Sequence, residues 1–330
     1  MASLAASRQA SNQWCDRPKR RAGRPIRHRS RGHHMKKLLR IVGLGLAALA
    51  GLVLLVILVI YVWSEAILRQ HYEAEPQAVV KAPPELVAQG YRLARLHGCL
   101  SCHGEGLTGH AVFEAPLVGD IIAPNLTTLI RDRTDEQLTV AIRQGIAPDG
   151  RGLLVMPSAV AQRMPPEETA ALIAWMRTLP VKEGETRRFQ LGVLGRLMLI
   201  LGDFRRQAEA VKEYRSMMPR DLGADHSAGR QLAASICAEC HGPDLAGGPA
   251  PMADQNPSFG RPYNLPPSLD VVAAYDLEQF KTLLRTGVPP GGRDLGMMSS
   301  VARRDLRYFS DEEIEALHRY LVERAQRPPQ

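Results

Sequence analysis

The chain has 330 residues, which allows about two domains of ordinary size plus additional segments. Aromatic residues make up only 5%, which is little for one large core and fits small domains that pack around something besides their own side chains. The formal net charge is +8, but residues 1–40 hold twelve Lys or Arg against one Asp, so residues 41–330 are mildly acidic. This distribution argues against a nucleic-acid-binding protein.

The N-terminal segment, residues 1–34, is rich in Arg, Ser and His and lacks apolar periodicity. We predict that it is a disordered basic extension. "MKKLLR" starts at Met35 and resembles a second possible start site, so either Met1 or Met35 can begin the protein.

A run of 23 uncharged residues, 41–63, follows the extension. About 20 such residues span a bilayer core, so we predict a transmembrane anchor over residues 35–66. Lys36, Lys37 and Arg40 precede the run, and the positive-inside rule then leaves the N-terminus in the cytoplasm. The prediction is a single-pass protein of the bacterial inner membrane with its folded part in the periplasm. A cleaved signal peptide is the alternative, but signal h-regions have only about 7–15 residues.

The remainder of the chain is predicted to hold two compact domains. A linker, residues 67–83, leads to the first domain at 84–185, and a second linker, 186–222, leads to the second domain at 223–330. The second linker contains the apolar segment 189–204, which we expect to form a helix packed against or between the domains. Contact with a membrane surface is the alternative for this segment.

The two domains read as an internal repeat of an all-α fold. Each opens with a short helical pattern and closes with a helix that starts with acidic residues. In the closing helix of the second domain, Ser310 is a predicted N-cap with Glu313 three residues later, which is a capping box. No alternating strand pattern of any length lies between these helices, which favours an all-α fold.

We predict that a glycine in the opening helix of each domain contacts an aromatic residue of the closing helix. The two pairs are Gly90 with Trp175, and Gly229 with Tyr320. Glycine permits close approach of the two helices, so we assign these residues to packing and not to catalysis.

The same five-residue pattern, CxxCH, begins both domains. It occurs in "GCLSCHGEG" at 98–106 and in "ICAECHGPD" at 236–244. Two thiols spaced in this way can form thioethers with the two vinyl groups of haem, and the adjacent histidine can bind the iron; the pattern is the attachment signature of c-type haem. The residues concerned are Cys99, Cys102, His103, Cys237, Cys240 and His241.

Two other readings of these cysteines are weaker. CxxC pairs are also usual zinc half-sites, and the four cysteines could form a Cys₄ site. However, a histidine follows the second cysteine both times, and the pairs belong to separate repeats. A thioredoxin-like redox pair requires a βαβ pattern, which the sequence lacks.

The second axial ligand of each iron is predicted to be a methionine, which raises the potential and closes the iron to substrates. In the first domain we choose Met156, in a loop, over Met164, which lies at the start of the final helix where core residues pack. In the second domain Met297 and Met298 lie in the equivalent loop, and we favour Met298.

The sequence resembles tandem class I cytochromes c of bacterial respiratory chains. The resemblance is carried by the two CxxCH patterns and by segments 123–164 and 296–321. The first of these segments is similar to the cytochrome subunits of membrane-bound alcohol and gluconate dehydrogenases, and the resemblance implies that the Met of its "MP" step, Met156, is the distal ligand. Those subunits usually carry three haems and a C-terminal anchor, whereas this chain has two CxxCH patterns and an N-terminal apolar run.

The predicted function is therefore single-electron transfer through two covalently bound haems c, with a dehydrogenase or an oxidase as redox partner and no nucleic acid. A cytochrome subunit of a membrane-bound dehydrogenase complex is the first alternative, with the apolar segment 189–204 as its docking surface. A dihaem enzyme, such as a peroxidase or a thiosulfate dehydrogenase, is the second alternative, and it would need one iron open or weakly ligated.

Overall fold

The protein is described here by a computed structural model that covers residues 31–77, 80–248 and 265–327. The chain divides into two compact units, residues 1–55 and residues 56–330. Most of the predicted disordered extension, residues 1–30, lies outside the described residues.

The N-terminal helix, α1 (Arg31–Leu68), contains the predicted membrane span. It begins four residues before the predicted anchor and continues two residues beyond it. Its portion His34–Leu68 is long and apolar enough to cross a membrane by length and composition. The large apolar side chains between Leu38 and Val62 are exposed apart from the half-buried Ile57 and Ile60, as expected of a helix whose partner is not protein.

The first domain consists of short helices and a small sheet. Its elements in chain order are α2 (Pro84–Ala88), α3 (Gly90–Leu96), α4 (Cys99–His103), β1 (His110–Ala115), β2 (Gly119–Ala123), α5 (Leu126–Leu129), α6 (Asp135–Gln144), α7 (Ser158–Ala161) and α8 (Pro166–Thr178). Three further elements follow it in the predicted linker: β3 (Gln190–Leu191), α9 (Val193–Leu201) and α10 (Gln207–Tyr214).

The chain is mostly helical as predicted, and it also contains a small sheet that was not predicted from the sequence. The three strands form one antiparallel sheet in the order β1-β2-β3, with His110 opposite Ala123 and Gly119 opposite Leu191. The side chains of β1 alternate between exposed and half-buried, but Val112 stands at an exposed position. The polar and apolar residues therefore do not alternate, which removes the usual sequence signal of a strand.

The second domain is built from helices around the second CxxCH pattern. Its elements are α11 (Ser227–Leu232), a π-helical turn (Ala233–Cys237), α12 (Ala238–His241), a 3₁₀ helix (Leu269–Ala274), α13 (Leu277–Thr286), α14 (Met297–Arg304), a second 3₁₀ helix (Leu306–Tyr308) and α15 (Asp311–Gln326). The capping box of α15 is confirmed, because Ser310 Oγ accepts from Glu313 N at 3.1 Å and Glu313 Oε2 accepts from Ser310 N at 2.7 Å.

The predicted helix in segment 189–204 is α9, and it packs on the sheet of the first domain. Leu199 of α9 is buried in a cluster with Ile121 of β2 and Leu191 of β3, and Phe204 closes the same cluster. The segment therefore belongs to the first domain by its contacts, although it follows that domain's closing helix.

The predicted glycine–aromatic contacts are confirmed in both domains. A β-carbon built at Gly90 would overlap the first side-chain carbons of Trp175. A β-carbon built at Gly229 would overlap the carbonyl oxygen of Ala316 and would lie 2.6 Å from Tyr320 Cβ. In both places the obstructing atoms are close to the backbone and cannot swing away.

We therefore predict that Gly90→Ala and Gly229→Ala each destabilise the protein, by about 1–3 kcal/mol, the usual cost of overpacking. The free energy of unfolding, measured by denaturant titration of the haem-loaded chain, checks this. Gly106→Ala is the matched control, because a β-carbon there meets Thr108 Cγ2 at an ordinary 3.5 Å. Equal unfolding midpoints for the three variants would contradict the close helix contact.

Candidate haem sites

The first CxxCH pattern coincides with the short helix α4, which is set off from α3 by Gly98 in a left-handed conformation. His103 is the last residue of α4, and its side chain is buried. Its Nδ1 lies 2.9 Å from the carbonyl oxygen of Pro124. A carbonyl oxygen can only accept, so Nδ1 carries the proton and Nε2 presents a free lone pair, the form in which histidine binds a metal.

The second pattern has the same arrangement. Cys237 ends the π-helical turn and His241 ends α12. The Nδ1–H of His241 donates to the carbonyl oxygen of Pro267 at 2.8 Å, and the ring is buried like that of His103. Both histidines are thus held in the same tautomer by the same kind of acceptor.

A buried leucine with an unusual backbone follows each pattern. Leu107 has φ +54° and Leu245 has φ +64°, and they are the non-glycine residues with positive φ in the described part of the chain. This conformation costs a bulky L-residue about 1–2 kcal/mol, so burial and hydrogen bonding must offset it. The carbonyl of Leu107 accepts from Leu126 N at 2.8 Å, and that of Leu245 accepts from Leu269 N at 3.0 Å.

Each of these two N–H donors lies two residues after the proline whose carbonyl oxygen the histidine contacts. The hydrogen bond to the leucine carbonyl therefore holds the returning chain beside the histidine. Neither the leucines nor the prolines were predicted from the sequence. A signal was present, since "CHGEGLTG" and "CHGPDLAG" place Gly, Leu and Gly at identical distances from the histidine. The proline carbonyls had no such signal, because the two loops to them differ in length, at 21 and 26 residues from the histidine.

The four cysteines of the patterns are free thiols in apolar surroundings. Burial raises the pKa of Cys99, Cys237 and Cys240 to about 12, and it raises the pKa of Cys102 as well. Among the residues that the structure describes, no three His, Cys, Asp or Glu side chains are grouped as metal ligands.

The candidate methionines differ in where they lie. Met156 is half-buried against the core cluster that Cys99 also contacts, whereas Met164 is fully buried as part of that cluster. In the second domain, Met298 packs against the cluster that Cys237 contacts. Met297 is 41% exposed to solvent. One half-buried methionine therefore shares a cluster with the attachment cysteine in each domain.

The carboxylate of Asp305 joins the second domain to the first CxxCH pattern. It is 3% exposed and directly follows α14. Ser101, between the two cysteines of the first pattern, donates its Oγ–H to Asp305 Oδ2 at 2.9 Å. Arg95 Nη1 of α3 lies 3.5 Å from Asp305 Oδ1, and Arg304 Nε lies 3.0 Å from Oδ2. We call this group the Asp305 junction.

Further contacts extend the junction. Leu96 and Val160 of the first domain belong to the buried core cluster of the second domain. Arg163 is buried, and its guanidinium donates to the carbonyl oxygens of Tyr214, Met217 and Ala234. Residue Arg163 thereby ties the first domain to the π-helical turn that precedes the second CxxCH pattern.

Glu239 lies between the two cysteines of the second pattern, at the position that Ser101 has in the first. Its side chain is largely enclosed, and Oε1 has no hydrogen-bond partner among the described residues. Burial raises the pKa of Glu239 to about 8, against an opposing effect of Arg163. Its charge also contributes to the raised pKa of Cys102, so the two CxxCH patterns lie within electrostatic range of each other.

A small helical domain that opens with CxxCH and fixes its histidine on a proline carbonyl defines a c-type cytochrome domain. The sequence profile of the cytochrome c family matches residues 87–180 and 226–325, one region for each domain. The chain therefore belongs to the cytochrome c family, whose members carry covalently bound haem and transfer electrons.

The sequence of the chain is similar to those of curated cytochrome subunits of dehydrogenases. It is 27% identical over 266 residues to the fructose dehydrogenase cytochrome subunit of Gluconobacter japonicus, covering 71% of this chain and 52% of the relative. It is 27% identical to the cytochrome c subunit of a quinone alcohol dehydrogenase of Gluconacetobacter polyoxogenes, covering 75% and 58%. It is 26% identical to the gluconate 2-dehydrogenase cytochrome c subunit of Pantoea cypripedii, covering 73% and 60%. The matched part thus spans just over half the length of these relatives.

The Asp305 junction yields a prediction on stability. Removing one partner of a buried ion pair costs about 3–5 kcal/mol, and Arg95 retains Glu105 and Tyr91 as partners, so we expect the lower end, about 3 kcal/mol, for Asp305→Ala. Urea unfolding of the haem-loaded chain measures it. The matched control is Asp225→Ala, an exposed carboxylate for which we expect a change below about 0.5 kcal/mol. Similar losses in both variants would mean that the junction does not hold the domains together.

Proposed function

We propose that this chain is a membrane-anchored dihaem cytochrome c that transfers single electrons between respiratory-chain partners. One observation carries the proposal: the same donor set, two thiols, a histidine with a free Nε2 and a half-buried methionine, occurs twice within one compact unit. A bound haem supplies a one-electron change between ferrous and ferric iron at each site.

In the first domain, the residues fit this role as follows. Cys99 and Cys102 would hold the haem through thioethers, and His103 would bind the iron through Nε2. Met156 would be the second axial ligand, since it borders the same cluster as Cys99 while Met164 fills the core. The Pro124 carbonyl keeps the His103 ring oriented and increases its basicity, as hydrogen bonds to metal-bound histidines generally do.

In the second domain, Cys237 and Cys240 would form the thioethers and His241 the first axial bond. Met298 is preferred to Met297 as the second ligand, because it packs against the cluster beside Cys237 whereas Met297 is 41% exposed. A histidine and a methionine at both irons would leave no position for a substrate, which favours a carrier over an enzyme.

The contact between the first attachment pattern and the second domain supports electron passage inside the chain. Ser101 of the first pattern is hydrogen-bonded to Asp305, which ends the helix that starts at Met297. Two haems held by these patterns would be neighbours, and an electron would not have to leave the protein between them.

The proposed location is the inner membrane, with α1 as a single span and the haem domains in the periplasm. The length and apolar composition of His34–Leu68 support the span. Lys36, Lys37 and Arg40 at its N-terminal side support a cytoplasmic N-terminus by the positive-inside rule.

A second candidate is favoured by the relatives, which are cytochrome subunits of fructose, alcohol and gluconate dehydrogenases. The chain would then pass electrons from a dehydrogenase subunit to a quinone or an oxidase. Co-purification of a large dehydrogenase subunit with the chain from detergent-solubilised membranes would separate this candidate from a free-standing carrier.

The number of haems gives the direct test of the proposal. The mass of the purified chain should exceed the polypeptide mass by two haems. The double variants Cys99→Ala/Cys102→Ala and Cys237→Ala/Cys240→Ala should each lose one haem, because both thioethers of one site are removed. Cys15→Ala is the control and should retain both haems. A chain that carries zinc and no haem would overturn the proposal.

The distal ligands are tested by the charge-transfer absorption band that a methionine–iron bond gives in ferric haem. We expect Met156→Ala and Met298→Ala each to remove the contribution of one haem and to allow cyanide to bind that iron. Met164→Leu and Met297→Ala are the matched neighbours and should leave the band intact. A band that is lost with Met297→Ala and kept with Met298→Ala would reverse the choice in the second domain.

A further inference from the structure

An exposed apolar surface lies on α9 and on the turn before β2. Leu194 and Leu201 of α9 are 43% and 69% exposed, and Leu117 of the turn is 67% exposed. Leu194 and Leu201 are seven residues apart, two helical turns, and so lie on one face of α9. The backbone N–H of Leu194 donates to the carbonyl oxygen of Leu117 at 3.0 Å, which places the turn beside the start of the helix. We call these three residues the leucine face.

The opposite side of α9 is already occupied. Gly195 and Leu199 are buried, and Leu199 belongs to the cluster between α9 and the sheet. Apart from Gly195 and Arg196, every residue of α9 is apolar. A helix with one apolar side in the core normally exposes polar residues on the other side, so an apolar outer face marks a contact surface.

Arg196, the single charged residue of α9, binds the last turns of α1. Its Nη1 donates to Ser64 Oγ at 2.8 Å and lies 3.2 Å from Glu65 Oε2. Its guanidinium also lies over the ring of Tyr61, 4.4 Å from the centroid. Ile67 and Leu68 continue the contact, because they pack against the cluster that contains Leu199.

These contacts fix the height of α9 relative to the apolar part of α1. Ser64 and Glu65 directly follow Trp63, the last residue of the uncharged run, and a helix rises about 1.5 Å per residue. The anchoring atoms of α1 are therefore within about 3 Å, measured along its axis, of the end of that run. The polar layer of a bilayer is about 5–8 Å thick on each side, so α9 is held at the depth of the headgroups.

We propose that the leucine face is a second membrane-contact site, which inserts into the interfacial layer of the bilayer that α1 crosses. This rests on the proposed role of α1 as an anchor. The two contacts together hold the first haem domain at the membrane surface and restrain its rotation about α1.

The test uses the full haem-loaded chain in nanodiscs of phosphatidylcholine and phosphatidylglycerol. In a Cys15→Ser background, Leu201→Cys or Leu194→Cys is labelled with an environment-sensitive NBD fluorophore, since the other cysteines are blocked as thioethers. We expect blue-shifted emission at both positions, and severalfold stronger quenching by spin-labelled lipids than at a control label. The control is Val288→Cys, which is 42% exposed in the second domain.

Labels at 194 and 201 that behave like the label at 288 would overturn the proposal. Emission that shifts only when a co-purified dehydrogenase subunit is present would assign the leucine face to a protein partner and would also overturn it. Failure of the anchor is distinguishable, because a chain without a membrane span would not remain associated with the nanodiscs at all. The variant Leu117→Gln/Leu194→Gln/Leu201→Gln should fold and bind both haems normally and should show higher hydrogen exchange in α9 than the parent chain in nanodiscs.

Discussion

Both candidate haem sites depend on one hydrogen bond, from the Nδ1–H of the CxxCH histidine to a proline carbonyl. It is made by His103 with Pro124 and by His241 with Pro267. The bond sets the tautomer and the ring orientation, so that Nε2 is available as a ligand. The acceptor is a backbone atom more than 20 residues away, so the geometry of each site depends on the whole intervening loop. The carbonyl groups of Leu107 and Leu245, which have left-handed backbones, accept the hydrogen bonds that hold the end of each loop in place.

The Asp305 junction connects the first CxxCH pattern with the second domain through a hydrogen bond and buried ion pairs. A buried ion pair contributes little net stability compared with apolar packing, but it accepts few alternative arrangements. Here the carboxylate binds Ser101 inside one attachment pattern and terminates the helix that begins with Met297 and Met298 of the other domain. Met297 and Met298 are the first residues of α14 and do not lie in a loop as predicted. A change at the start of this helix, where the proposed second distal ligand lies, would therefore be felt at the first attachment pattern, and the two domains are better regarded as one electron-transfer body than as separate carriers on a linker.

The sequence predicted the parts of this protein that local spacing determines. The CxxCH patterns and the Ser310 capping box are short motifs. The glycine–aromatic contacts join residues 85 and 91 positions apart, and they were predictable because each domain repeats a glycine in its opening helix and an aromatic residue in its closing helix. The sheet was missed because Val112 breaks the alternation of β1. The Asp305 junction could not be predicted, since Ser101 and Asp305 are 204 residues apart and meet only through the packing of two domains. The proline carbonyls could not be predicted either, because every residue has a backbone carbonyl and no side chain indicates which one accepts the hydrogen bond.

The low aromatic content of the chain agrees with the composition of the core cluster in the first domain. The core of the first domain consists largely of Leu, Ile and Met side chains, and its half-buried margin includes Cys99 and Met156. Cys237 and Met298 occupy the corresponding margin of the second core. A flat apolar macrocycle bonded to the cysteine and ligated by the methionine would cover the margin in each domain. Ligation and core formation would then be a single event, because the bound group stabilises the native state but not the unfolded chain.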